Sequence, residues 1–284
     1  MSFKRTIAAA EHFAPPGHFY SPHPRLEDLE AQYDSIQNRA RQPYGIALNS
    51  AAQLELLSQG STQPVGPWSA GPTPTLRYYY ENSFFRFGDA NAIWQIARRY
   101  HPKRVIEVGS GYSTACWLDT FDALGLATDL TCIEPYPERL QQLCHPEDLT
   151  RRIRLQQRPV QDVSARDFGE LEDGDVLFID STHVSKSGSD VNYLFFQILP
   201  TLAPGVIVHV HDIFWPFEYP LSWYQEGRAW NESFLLRAFL QFNSAFKILR
   251  FNSFLAQENR ETMMQQDPRF VSDAGGSIWL QKTC

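Results

Sequence analysis

The stretch RVIEVGSGYST, residues 104–114, predicts a short buried strand, a tight turn and the start of a helix. The strand VIEV is apolar apart from Glu107, as expected for a buried strand. The glycines of Gly109-Ser110-Gly111 allow the backbone to turn sharply, and Ser113 or Thr114 can cap the helix that follows. A strand, a glycine turn and a helix N-terminus together form a pocket of nucleotide size at the carboxyl edge of a parallel sheet.

Two acidic residues make this stretch more specific. The glycines alone depart from the dinucleotide fingerprint G-x-G-x-x-G/A, because Thr114 stands at its third position. Glu107, however, lies two residues before the first glycine, and Glu134 closes the next predicted strand, where an acid can accept both ribose hydroxyls of an adenosine. The alternative is a plain strand, turn and helix with a buried acid at the strand end.

The pattern E-x-G-x-G together with Glu134 resembles the first two motifs of the class I S-adenosylmethionine (SAM) methyltransferases. The resemblance implies SAM as the cofactor, with Gln161 and Asp162 after the third strand as candidates for binding the adenine amine. The residues expected to contact SAM are Glu107, Gly109, Ser110, Gly111, Ser113, Glu134, Gln161, Asp162 and Asp180.

The composition limits the kinds of molecule that the protein is expected to bind. The chain of 284 residues carries 25 basic against 32 acidic side chains, a formal net charge of −7, which argues against nucleic acid and favours a small-molecule acceptor. No apolar stretch approaches the ~20 residues that span a bilayer. The four cysteines form no C-x-x-C pair, and Glu11 and His12 interrupt any apolar core of a signal peptide, so we expect a cytoplasmic protein with no membrane partner.

Residues 1–87 predict a cap or lid segment, and residues 88–284 a Rossmann-like SAM-binding domain. The first part contains two short predicted helices, at 25–38 and 53–57, and a proline-punctuated loop at 60–74. The aromatic run at 77–85 either plugs the flank of the sheet or forms a wall of the pocket.

From residue 104 onward, strands and helices alternate, which predicts an α/β fold with a mostly parallel sheet. Strands are predicted at 104–108, 130–134, 153–157, 175–180, 206–210, 246–251 and 277–280. Helices are predicted at 88–100, 113–124, 137–144, 163–171, 191–202 and 231–242. Five βα units followed by two terminal strands resemble the seven-stranded methyltransferase sheet, whose last strand is antiparallel.

Polar residues are concentrated where the fourth and fifth predicted strands end, in DSTH (180–183) and HVHD (209–212). Catechol O-methyltransferase and its relatives carry acids at these two strand ends, bind magnesium with them, and have a lysine base three residues after the first acid. That resemblance implies Asp180 and Asp212 as metal ligands and His183 as the catalytic base. The chain departs from it in having histidine for lysine, and Ile213 where a polar ligand would follow Asp212.

A histidine with a pKa near ~6.5 suits proton removal at neutral pH. Asp180 and Asp212 would favour magnesium or a similar divalent ion, whereas adding His209 or His211 would admit zinc or iron, so His211 is a third candidate ligand. The alternatives are a buried structural His209 and a solvent-exposed loop residue at position 183.

Two segments near these strand ends have structural and functional interpretations. Asp190 is expected to be the N-cap of the helix at 191–202. The aromatic insertion at 214–230 either walls the acceptor pocket or is a rigid packing loop.

The sequence thus predicts a SAM-dependent methyltransferase acting on a small-molecule hydroxyl, with His183, Asp180 and Asp212 as catalytic residues. One rival is a metal-dependent hydrolase or oxygenase using His183, His209, His211 and Asp212. Another is a non-catalytic SAM-fold binding module. The acceptor, and whether the chain forms a homo-oligomer, are not determined by the sequence.

Overall fold

The computed structural model describes residues 13–59 and 65–284 of the chain. The expectation about a signal peptide rests on Glu11 and His12, which lie outside the described residues, as does the part of the predicted loop at 60–64.

The seven predicted strands form one sheet in the order β3-β2-β1-β4-β5-β7-β6. Strand β7 is antiparallel to both β5 and β6, and the pairs from β3 to β5 are all parallel. This confirms the predicted fold class. The strands are β1 Arg104–Val108, β2 Asp129–Ile133, β3 Ile153–Gln156, β4 Val176–Ile179, β5 Ile207–Val210, β6 Phe246–Phe251 and β7 Ile278–Lys282.

The sheet order determines where a ligand can bind. Every residue of β4 and β5 is buried, since helices cover both faces of the sheet. The strand order reverses at β1, which lies between β2 and β4. Ligands of open α/β sheets bind at such a reversal, outside the carboxyl ends of the strands, so the ends of β1 and β4 are the expected place.

The α-helices cover the sheet and fill its connections. They are α1 Leu26–Ala40, α2 Ser50–Gln59, α3 Phe87–Tyr100, α4 Tyr112–Leu124, α5 Glu138–Leu143, α6 Pro146–Arg151, α7 Ala165–Phe168, α8 Asp190–Tyr193, α9 Leu221–Gln225, α10 Glu232–Leu240, α11 Asn252–Glu258, α12 Arg260–Gln266 and α13 Arg269–Ser272. Helices α6 and α9 and the three short helices between β6 and β7 were not expected from the sequence. None of the described helices is long and apolar enough to cross a membrane.

Two predicted helix starts are wrong. Helix α4 begins at Tyr112 with Gly111 as its N-cap, and Thr114 acts from inside the first turn by accepting the Gly111 N–H. Helix α8 is capped by Ser189, whose hydroxyl accepts the Asn192 N–H, whereas the Asp190 carboxylate accepts hydrogen bonds from Thr182. In both cases a small residue, Gly111 or Ser189, is the N-cap. The side chain that was expected to cap the helix forms other hydrogen bonds.

The predicted helix at 191–202 is regular for only its first turn. The chain continues as a π-helix over Leu194–Ile198 and a 3₁₀ turn over Leu199–Thr201. Pro200 lacks a backbone N–H and so cannot extend an α-helical ladder. The helix predicted at 163–171 is shortened to the four residues of α7.

The segment before α3 packs onto the domain. The Arg77 side chain is buried, with Nη1 2.9 Å from Asp119 Oδ1 of α4 and Nε 2.7 Å from Asp148 Oδ2 of α6. Tyr78 and Phe85 belong to the same hydrophobic core as the sheet. A boundary between a cap and a domain at residue 87 stays a prediction.

Candidate active site

The glycine turn after β1 touches the end of β4. Gly109 has a φ of +81°, and a Cβ there would lie 1.8 Å from the carbonyl oxygen of Asp180. The Asp180 N–H donates to the carbonyl of Val108 at 2.9 Å, which holds the two strand ends together. No side chain fits at position 109, so the ends of β1 and β4 can lie this close together only with glycine there.

Glu134 lies beside this turn, as predicted. Its Oε2 accepts a hydrogen bond from the Ser110 backbone N–H at 3.1 Å, and its Oε1 accepts one from the Tyr136 N–H at 2.7 Å. The side chain is half-buried and lines the cavity. Its carboxylate is thus fixed in place while part of it stays accessible to a ligand.

Glu107 lies underneath the turn and does not line the cavity. It is fully buried and accepts a hydrogen bond from the Thr114 hydroxyl, with the Cys132 thiol 3.4 Å away. Burial raises its pKa to about 7, although these hydrogen bonds oppose the rise. Ser113 is also buried. Both residues support the turn from below, and Gly111 faces the Arg139 side chain.

Two adjoining cavities, of about 880 and 360 Å³, lie in front of these strand ends and share Gly109, Glu134 and Asp180. The smaller one is also lined by Gln161, whose Nε2 donates to the Gly188 carbonyl at 2.9 Å. Asp162 is exposed and lines neither cavity. We call the side lined by Gly109, Ser110, Glu134 and Arg139 the glycine end, and the side lined by His183, Asp212, Trp223, Arg228 and Trp230 the histidine end.

His183 is buried at the centre of the histidine end, not exposed on a loop. Its Nδ1 lies 2.9 Å from Glu232 Oε2. Its Nε2 lies 3.5 Å from Asp180 Oδ1 and 3.6 Å from Asp212 Oδ2. One ring nitrogen is therefore held by a buried carboxylate, and the other faces the two strand-end acids.

Asp212 reaches this cluster because β5 ends at Val210. Asp212 has a φ of +56°, so its side chain does not follow the alternation of the strand. His211 Nδ1 lies 3.3 Å from Asp180 Oδ1, and its Nε2 lies 3.5 Å from Asp89 Oδ2. The rings of His183 and His211 thus both face Asp180. Each ring also faces a second buried carboxylate, that of Glu232 or Asp89.

Sequence reasoning missed Glu232 and Asp89. Each lies in the first turn of a helix, where an acid is favoured by the helix dipole and needs no other explanation. Both are nonetheless buried, at 0% and 2% exposure. Only the folded chain reveals that a histidine faces each of them.

His209 does not belong to this cluster. It is fully buried, its ring stacks on Phe178 at 3.8 Å, and its Nε2 lies 2.8 Å from Ser277 Oγ. Burial lowers its pKa well below the usual value. The interpretation of His209 as a buried structural residue is the one that fits, and the four-residue set proposed for a hydrolase or oxygenase is not assembled.

The carboxylates set the charge of the two remaining histidines. Burial alone would lower the pKa of His183, but hydrogen bonds to Asp180 and Glu232 outweigh it and raise this pKa to about 10. The pKa of His211 is likewise raised, because Asp180 and Asp212 outweigh burial. Burial would raise the pKa of Asp180, but the nearby imidazoles of His211 and His183 lower it. The ordinary pKa from which His183 was argued to be a base does not include the effect of these carboxylates.

A magnesium site at Asp180, Asp212 and His211 does not fit this arrangement. Among residues 13–59 and 65–284, no group of three or more histidine, cysteine or acidic side chains is placed to hold a metal ion. Asp180 and Asp212 each have imidazole nitrogens within 3.3–3.6 Å, so the two rings already lie against both carboxylates. A divalent cation bound by both acids would have to displace these rings.

The aromatic run at 77–85 has both of its predicted roles. Tyr78 is fully buried and its hydroxyl donates to the Phe85 carbonyl, so this part plugs the core. Ser83 and Phe84 line the cavity. The insertion at 214–230 contributes cavity-lining residues at the histidine end, namely Phe214, Trp223, Arg228 and Trp230.

With this geometry described, the chain can be compared with known proteins. Residues 106–213, from β1 to just beyond β5, match the family model of a methyltransferase domain. An uncharacterized protein from Archaeoglobus fulgidus is 32% identical over 165 residues, which cover 56% of this chain and 74% of that protein. The chain belongs to the class I SAM-dependent methyltransferase family.

Solved methyltransferase structures are also similar to this chain. The methyltransferase PaMTH1 from Podospora anserina, bound to S-adenosylhomocysteine (SAH), is 15% identical with a TM-score of 0.46, over 90% of this chain and 97% of that one. The O-methyltransferase TomG from Streptomyces achromogenes, in complex with SAM, is 12% identical with a TM-score of 0.45, over 90% and 96%. At these TM-scores the chemistry of the present chain has to be argued from its own residues.

Proposed function

We propose that this protein transfers the methyl group of SAM to a hydroxyl group of a small-molecule acceptor. One observation carries the proposal. A single cavity of about 880 Å³ is lined both by Gly109, Ser110 and Glu134 and by Asp180, His183 and Asp212. A donor at the glycine end and an acceptor at the histidine end would therefore meet without crossing protein.

The glycine end has the features that a SAM molecule needs. Gly109 lines the cavity without a side chain, and Glu134 presents a fixed carboxylate to the ribose hydroxyls. Gln161 lines the adjoining cavity of about 360 Å³, where the adenine would lie. When bound, SAM supplies an electrophilic methyl group on a sulfonium.

The histidine end would remove the acceptor proton and orient the oxygen. His183 Nε2 faces Asp180 and Asp212, and its Nδ1 is fixed by Glu232, so the ring cannot turn away from the cavity. The positive sulfonium of SAM would disfavour a protonated His183. It would therefore lower the raised pKa of this histidine toward neutral pH. Methyl transfer is an in-line displacement, so alignment and proton removal are the main contributions of the protein.

No metal enters this proposal, because His183 and His211 lie directly against Asp180 and Asp212. The cytoplasmic location and the small-molecule nature of the acceptor stay predictions.

The test replaces His183 and measures binding and turnover separately. In His183→Ala, SAH affinity by calorimetry should be nearly unchanged, while SAH release from SAM with a panel of small phenols and alcohols should fall by about 100-fold or more. His101→Ala, at an exposed histidine following α3, is the matched control.

Three outcomes of this test would each contradict a different part of the proposal. Unchanged turnover in His183→Ala removes this residue from the mechanism. Wild-type protein that binds SAH but turns over no acceptor favours a non-catalytic binding module. Failure to bind SAH at all overturns the proposed function.

A further inference from the structure

Arg228 is held in a fixed position in the wall of the histidine end. Its guanidinium carbon lies 4.5 Å from the ring centroid of Trp223 and 4.9 Å from that of Trp230. All three residues line the cavity. Because the protein's own cation occupies the faces of these indoles, a cationic ligand would be repelled from this wall.

The guanidinium keeps donors available for a ligand. Arg228 Nε and Nη2 contact Glu226 Oε2 at 2.8 and 2.7 Å, and Nη1 forms no hydrogen bond within the described part of the chain. Glu226 is 52% exposed, so water screens its charge, whereas Arg228 is more sheltered at 36%. An arginine in this state binds a carboxylate with a strong, charge-assisted hydrogen bond.

The two other arginines among the described cavity-lining residues have different surroundings. Arg86 Nε lies 2.9 Å from Asp273 Oδ1, and Arg139 packs over the Phe84 ring at 3.7 Å, beside the glycine turn. Arg228 is therefore the arginine that serves the histidine end.

Trp230 connects Arg228 to His183. The ring centroids of Trp230 and His183 are 4.4 Å apart, and Arg228 contacts the same indole. Both groups contact the same indole, so a molecule in the cavity beside it could reach the imidazole with one end and the guanidinium with the other. An aromatic ring that carries a hydroxyl and a short acidic arm has the two groups that this arrangement requires.

From these contacts we infer that the methyl acceptor is a hydroxylated aromatic carboxylate, whose hydroxyl faces His183 and whose acidic group binds Arg228. This inference rests on the proposed function for the identity of the site, and goes beyond it in naming the class of acceptor and the residue that selects it.

The test compares acids with their own methyl esters, since each pair differs in charge and little in shape. The probes are 4-hydroxybenzoate, 3-hydroxybenzoate and 4-hydroxycinnamate, each beside its methyl ester, titrated by calorimetry into protein saturated with SAH. We expect at least one acid to bind about tenfold or more tightly than its ester, as a charge-assisted contact implies. Arg228→Gln should abolish this preference, and Arg228→Lys should restore part of it.

Arg25→Gln is the matched control, because Arg25 also pairs with a glutamate two residues away, at 2.8 Å, but lies outside the cavity. It should keep the wild-type preference. The inference is overturned if no acid binds, if every ester binds as tightly as its acid, or if Arg228→Gln keeps the preference.

The SAH titration that precedes these measurements tests the proposed function by itself. Protein that binds SAH but shows no acid preference overturns only the acceptor class. If SAH does not bind, the proposed function fails, and the same acid–ester comparison without SAH still decides whether Arg228 selects an anion.

Discussion

The pKa values of two carboxylates near the two ends of the cavity are shifted in opposite directions. At the glycine end, Glu107 faces a hydroxyl and a thiol, and burial raises its pKa to about 7. At the histidine end, Asp180 faces two imidazoles that lower its pKa despite burial. Burial alone therefore does not determine the charge of an acid. A positive group in contact with it decides whether the acid holds its proton or gives the proton up.

The same contrast suits the two tasks proposed for the cavity. The glycine end is built from backbone groups and the fixed carboxylate of Glu134, with Glu107 buried underneath, and these groups shape a binding surface. The histidine end is built from charge pairs, which can accept and hold a proton. Each prediction below would sharpen this contrast or remove it.

The largest effect is expected at Gly109. In Gly109→Ala the new methyl group would collide with the Asp180 carbonyl and the residue would keep a φ of +81°. We expect the free energy of unfolding to fall by about 3 kcal/mol, from strain and overpacking together. SAH affinity should fall by about 100-fold or more, because the ends of β1 and β4 must separate. Chemical denaturation and calorimetry measure the two effects.

Gly125→Ala is the matched control for that experiment. Gly125 has a φ of +64°, but a Cβ there would meet no atom within 4 Å. It should cost only about 1 kcal/mol and leave SAH binding intact. If the two variants lose the same unfolding free energy and the same SAH affinity, the contact between Gly109 and the Asp180 carbonyl is not what shapes the glycine end.

A smaller effect is expected at Glu232, which we infer to be a positioning residue acting through His183. In Glu232→Gln the hydrogen-bonding shape is kept but the charge facing Nδ1 is lost, so kcat should fall by about 30-fold with KM nearly unchanged. Because both residues act as one unit, adding Glu232→Gln to His183→Ala should lower kcat no further. Additive losses in the double variant would show that Glu232 stabilises the fold and does not position the imidazole.

The glycine end was predictable from sequence because its parts are close together in the chain. Gly109, Ser110 and Glu134 come from one strand, turn, helix and strand, and the glycine spacing carries the signal. The mostly parallel sheet could likewise be predicted, since strands that alternate with helices along the chain are typical of an α/β fold.

The histidine end could be predicted only in part. Asp180, His183 and Asp212 stand at strand ends and could be selected by position. Glu232 and Asp89 could not, because a buried acid and an exposed acid in the first turn of a helix have the same sequence pattern. The charge state of His183 was also beyond sequence reasoning, because it depends on acids brought together by folding.

The smallest effect is expected at Glu107, where the contrast between the two ends becomes a pH dependence. A native pKa of about 7, against 4.5 in the unfolded chain, means that the folded state binds more protons between these values. The stability that protonated Glu107 contributes is therefore complete below pH 4.5 and is lost as pH rises toward 7, by up to about 1.4 kcal/mol per pH unit. Glu107→Gln keeps an oxygen acceptor for Thr114 but does not titrate. Its free energy of unfolding, measured with denaturant at pH 5, 6 and 7, should accordingly rise relative to that of the wild type at each step. Parallel pH profiles would mean that Glu107 is already ionised under the turn, and the contrast between Glu107 and Asp180 would then disappear.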